Sequence, residues 1–110
     1  MKRIKYNPKS SYTKNMVITI GKIRPFINIC KVTGQNEYIN AEVKYTPKDS
    51  LLEIGSYRKR LDIGFTEYVE DIAHIIYDEI FSLINPISLS VKVYLDDEYL
   101  SPWNVEVSSW

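Results

Sequence analysis

The chain has 110 residues, 45% of them hydrophobic and 25% charged, and its 14 basic and 14 acidic side chains cancel. That is ordinary composition for one globular domain with a modest core, and it argues against a disordered chain. No apolar run reaches the roughly 20 residues of a membrane span, no signal-peptide pattern opens the sequence, and a lone cysteine forms no internal disulfide, so the expectation is a reducing, cytoplasmic compartment.

The balanced charges are segregated. Residues 1–36 hold eight Lys/Arg and no acid, whereas residues 62–110 hold ten acids and one base, Lys92. Such a split fits nucleic-acid contact or head-to-tail assembly of copies. It fits equally a fold in which the two halves meet and their charges mix.

Residues 1–14 are polar and basic and read as a flexible arm ahead of a single domain at 15–110. Met16–Ile20 is a short β-branched strand. Residues 23–30 are interrupted by Pro25 and read as an irregular or edge segment. Thr33-Gly34-Gln35-Asn36 is a turn. Residues 38–45 alternate between apolar and polar and form a second strand, ended by Pro47. Residues 51–61 have no clear period and leave open a short strand or an irregular crossing segment. Over residues 66–85, Val69, Ile72, Ala73, Ile76, Ile80, Leu83 and Ile84 recur at helical spacing, with Glu67, Glu70 and Asp71 near the start, where the helix dipole favours acids. Asn85-Pro86 stops that helix. Ser88–Leu95 is a third strand, and 99–107 a fourth, joined as a hairpin across Asp96-Asp97-Glu98. The expected class is α+β: an antiparallel sheet with helix on one face.

Cys30 stands between an apolar stretch and the glycine turn. A lone cysteine is ordinarily a small buried hydrophobe. Here the adjacent Lys31 can lower the thiol pKa, and Glu37 lies across a tight turn that can fold it back towards the sulfur. A thiolate beside a carboxylic acid is a minimal kit for covalent addition with proton transfer. Other groups read as surface. His74 has Glu70 and Asp78 four residues to either side, but no second His or Cys nearby, so a solvated helix face is expected rather than a metal site. Arg58-Lys59-Arg60 fits a phosphate site or equally a solvated or subunit-facing run. Trp103 and Trp110 fit core or interface packing better than base stacking.

The string from Cys30 through Thr33-Gly34-Gln35 to Glu37 resembles the Cys-Pro-x-Thr-Gly-Gln-Pro-Asp motif of the QueF-type nitrile reductases of queuosine biosynthesis. Tyr45-Thr46-Pro47 resembles that family's Tyr-(Ile/Val)-Pro. Leu51-Leu52-Glu53 falls where the family has Val-Glu-Ser-Lys-Ser, Val69-Glu70-Asp71 is similar to its His-Glu-Asp, and Asn85-Pro86 stands for its Asp-Pro. The matches keep their order over residues 26–95.

The resemblance implies a tunnelling fold (T-fold) whose subunits assemble into rings with sites at their interfaces. It implies 7-cyano-7-deazaguanine as substrate, Cys30 as the nucleophile that forms a thioimide on the nitrile carbon, and Glu37 as the acid that protonates the nitrile nitrogen. Glu70 and Glu53 would bind the base. A carboxylate can accept two N–H donors from a guanine-like edge.

Three departures bear on the reaction. Glu37 stands where the family has Asp, and Val69 where it has a catalytic His. Of the Lys residues in the nicotinamide-linked Glu-Ser-Lys-Ser-x-Lys segment, one is Gly55 and the other is Arg58. Hydride transfer needs a held nicotinamide. The resemblance then favours the short QueF-like branch, which discharges the thioimide with ammonia and makes archaeosine in tRNA without a cofactor. The partner would be tRNA, another nucleic acid bearing the nitrile base, or the free base. An arm with Lys, Arg, Tyr6 and Tyr12 suits a polynucleotide. The alternatives are a divergent NADPH-dependent reductase and a non-catalytic T-fold base-binding oligomer. No membrane contact is expected, and no metal.

Overall fold

A computed structural model describes residues 2–5, 15–95 and 103–109. Along the chain run β1 (Arg3–Lys5), β2 (Met16–Ile20), β3 (Phe26–Ile29), β4 (Asn36–Thr46), β5 (Ser50–Leu52), α1 (Ile54–Asp62), α2 (Val69–Ile84), β6 (Ser88–Leu95) and β7 (Trp103–Ser108).

The long strand β4 organises the sheet. It alternates strictly: Ile39, Ala41, Val43 and Tyr45 are buried, and the residues between them are partly exposed. This period of two lays one apolar face on the core. β6 pairs along one edge, from Ile39↔Leu95 to Thr46↔Ser88, and β7 continues beyond β6. The other edge of β4 is shared by two strands. β3 covers residues 36–39 and β2 covers residues 41–45, all antiparallel. The break between them is made at Gly21, whose φ is +89°. A Cβ there would lie 2.9 Å from the Ile39 carbonyl oxygen, so the position accepts only glycine without strain.

α2 covers the inner face of this sheet. Val69, Ile72, Ala73, Ile76, Ile80 and Ile84 form its buried stripe, and each fully buried Ile contributes about 1.5–3 kcal/mol. The helix ends at Asn85, which adopts the left-handed conformation (φ 43°) and donates its N–H to the Phe81 carbonyl at 2.9 Å. Among the described residues no helix is long and apolar enough to cross a membrane.

Two segments differ from the sequence expectation. Residues 51–61 contain the end of β5 and a helix, α1. Only Tyr57 and Leu61 of α1 are buried, one turn apart, too few to mark a helical period in a polar stretch. Residues 3–5, read as part of an arm, form β1 and pair with β5, from Arg3↔Leu52 to Lys5↔Ser50. Residues 6–14, with Tyr6 and Tyr12, lie outside the described residues, as do the Asp96-Asp97-Glu98 tip, Tyr99 and Trp110. Within residues 23–30 the irregular part is short, and Phe26–Ile29 is a regular strand. The bodies of β2, β4, β6 and α2 fall where they were expected, but β4 begins at Asn36, inside the expected turn. α2 begins at Val69 rather than at residue 66, because residues 65–67 pair beside β3 and leave Glu67 outside the helix. The class is α+β with an antiparallel sheet.

Candidate functional site

Cys30 is the first residue past β3, in the turn that leads into β4. Its N–H donates to the Gln35 carbonyl at 2.9 Å, and its carbonyl accepts from the Gly34 N–H at 2.9 Å. Gly34 has φ +71°, and the Thr33 hydroxyl oxygen accepts from the Gln35 N–H at 3.2 Å. The Thr-Gly-Gln string is thus the turn itself: a hydroxyl, a left-handed glycine and a returning carbonyl hold the cysteine at the corner.

The thiol is partly exposed. The Thr33 hydroxyl, the Thr33 amide and then the Val32 amide stabilise the thiolate and bring its pKa below the ordinary cysteine value, while partial burial and the charge of Glu37 work the other way. Lys31, expected from sequence to activate the thiol, does something else. Its ammonium is 3.1 Å from the Glu67 carboxylate and 5.4 Å above the Tyr68 ring. Turn donors, not the neighbouring cation, poise this sulfur.

Glu37 is the second residue of β4 and stands directly opposite Asn28 of β3. Asn28 is fully buried. Its Nδ2 donates to Glu37 Oε1 and to the Glu67 carbonyl, both at 2.8 Å, and its Oδ1 accepts from the Glu67 N–H at 2.9 Å. Residues 65–67 run beside β3: the Ile29 N–H donates to the Phe65 carbonyl (2.8 Å) and the Phe65 N–H to the Ile27 carbonyl (3.0 Å). This segment leads directly into α2, where Glu70 is exposed in the first turn. Val69, where the sequence resemblance would set a His, faces the core at 4% exposure.

Glu53 lies elsewhere. It caps α1, with Oε1 accepting from the Gly55 N–H (3.1 Å) and Oε2 from the Ser56 N–H (2.7 Å). The amide of Ser56 and its hydroxyl, with smaller help from Gly55 and Lys2, hold its carboxyl below the usual range against desolvation. It lines an open groove of about 670 Å³ with Lys2, Gly55, Ser56, Lys59, Arg60 and Ile63; Cys30, Glu37 and Glu70 are not among the lining residues. Arg58 pairs with Asp62 (2.9 Å) and Arg60 with Glu79, so two cations of the 58–60 run are committed within the fold. His74 is exposed, and among the described residues no group of three or more His, Cys, Asp and Glu gathers as a metal site.

The structure therefore brings Cys30 and Glu37 to one hairpin and ties that hairpin to the start of α2. The sequence reading missed Asn28 and Glu67. Asn28 had a signal: it is the polar member of the inward set Phe26 and Asn28 in an alternating strand.

No protein-family model matches the sequence, and neither does any curated protein. Among solved structures, the apo crystal structure of the archaeosine synthase QueF-Like matches over 90% of this chain and 96% of its own, with a TM-score of 0.78 and 17% identity. This chain has the T-fold. Within that T-fold, the hairpin of Cys30 and Glu37 joins β3 to β4, and Glu70 opens the long helix.

Proposed function

We propose that the chain is a QueF-like enzyme that converts the nitrile of 7-cyano-7-deazaguanine to the amidine of archaeosine. One observation carries the reading. A thiol lowered by its turn donors and a carboxylate face one hairpin, on a fold shared with an archaeosine synthase. The Cys30 thiolate adds to the nitrile carbon as Glu37 gives a proton to the nitrile nitrogen, leaving a thioimide with no free nitrogen anion. Ammonia then adds to the thioimide carbon and loses a proton to the Glu37 carboxylate, the C–S bond breaks, and the thiolate and the protonated acid are both regenerated as the amidine leaves.

Glu70, exposed on the first turn of α2, accepts the N–H donors of the base edge. Glu53 binds base only in an assembly, because its groove is separate from the hairpin. The partner that completes the site is a second copy of the chain. The exposed Ile27 and Ile29 on β3 and Ile63 beyond α1 offer it an apolar surface. The base is presented in tRNA or another nucleic acid, or as the free base. Nicotinamide reduction fits the residues poorly: Gly55 carries no side chain, and Arg58 is held by Asp62.

The test is intact-mass analysis after incubation with the free nitrile base and with nitrile-bearing tRNA. A thioimide adduct is expected on the wild type and not on Cys30→Ala, and ammonium should discharge it as amidine. No adduct with either substrate would reduce the chain to a base binder. Amine formed with NADPH would replace amidination by reduction. A species near 12.9 kDa in solution would remove the second copy.

A further inference from the structure

Asn28 and Ser50 are the buried polar side chains among the described residues, and Asn28 is wholly enclosed. A buried amide is tolerated only when its donors and acceptor are met. Asn28 meets both N–H groups and its oxygen with three bonds of 2.8–2.9 Å. The orientation is unique, since flipping the amide would set Nδ2 against the Glu67 N–H and Oδ1 against two oxygens.

Those three bonds do two things. One fixes a single oxygen of Glu37 and leaves the other for a substrate. The remaining two clasp the Glu67 peptide as a strand would, two residues before α2 begins. The Lys31–Glu67 ion pair joins the same two segments from the hairpin side.

We propose that Asn28 is the positioning residue of this site, holding the Glu37 carboxylate and the approach to α2 in one geometry with Cys30. The proposal rests on the roles given to Cys30 and Glu37 above, and its first test needs no nitrile. The pH dependence of Cys30 alkylation by iodoacetamide reports the field of Glu37 at the sulfur. Glu37→Gln removes an opposing negative charge, so it lowers the alkylation midpoint in the wild type. In Asn28→Ala, and in the smaller polar variant Asn28→Ser, Glu37 is released and the same substitution shifts the midpoint less. Thioimide formation slows about 10- to 100-fold in these variants, the scale of a misplaced catalytic group.

A merely structural Asn28 would lower the melting temperature and leave the Glu37→Gln shift intact. A full shift in a folded Asn28 variant overturns the proposal. If neither variant folds, the wild type decides through the side-chain amide resonances of Asn28. They should exchange slowly and move on Glu37→Ala; unmoved resonances overturn it. If no adduct forms on the wild type, the proposed reaction fails, while the thiol titration still reads the coupling.

Discussion

At Cys30 the thiol feels opposing influences. Thr33 and two backbone amides favour the thiolate, and the carboxylate of Glu37 disfavours it. A lowered pKa means more thiolate at neutral pH and alkylation that levels off at lower pH than for a free cysteine. Thr33→Val removes the hydroxyl donor, and the expected result is a midpoint moved up and slower alkylation at pH 7, read from iodoacetamide rates against pH. Much of this corner was legible, because Thr33, Gly34 and Gln35 each carry a local turn role. Asn28 and the Lys31–Glu67 pair were not. They depend on residues 65–67 lying beside β3, a contact between positions 39 apart in the chain.

Among the elements, β4 bears the most pairing, and Gly21 is what lets two strands share one of its edges. Gly21→Ala would place a Cβ against the Ile39 carbonyl at a positive φ. A left-handed conformation alone costs about 1–2 kcal/mol for an ordinary residue, so urea unfolding should show a loss of at least about 1 kcal/mol. An unchanged midpoint would mean that the break between β2 and β3 forms some other way. Sequence periodicity located α2, β2, β4 and β6, whose buried positions repeat along the element. It did not locate α1, which is held by Tyr57, Leu61 and the Glu53 cap rather than by an apolar face.

For the molecule as a whole, the segregated charges meet in space. Arg24 pairs with Asp62 at 3.3 Å and Lys31 with Glu67 at 3.1 Å, so basic residues of the first third find acids of the second half. The two helices are joined by Glu79, which accepts from the Tyr57 hydroxyl at 3.0 Å and from Arg60 Nε at 2.8 Å. Burial, then the charge of Glu79 and its hydrogen bond, push the Tyr57 phenol far up, and burial also raises Tyr45. A phenol whose folded-state pKa is raised favours the native state below its unfolded pKa of about 10, and that contribution is lost as pH rises from there. Stability followed by circular dichroism should therefore decline above about pH 10, and Tyr57→Phe should blunt the decline. An equal decline in that variant would assign it to other groups.

The shared edge of β4 also orders events during synthesis. β2, β3 and β4 can pair as soon as residue 46 has left the ribosome, but β6 cannot close the opposite edge until residue 95 has followed. Both helices are made in that interval. Over those 49 residues the nascent sheet carries an open strand with Ile39, Val43 and Tyr45 on its inner face, the condition under which strands find the wrong neighbour. Cover comes from the helices made in that interval, first Tyr57 and Leu61 of α1 and then the apolar stripe of α2, completed at residue 84, which makes early docking of both helices a protection for the growing chain as well as a source of native stability.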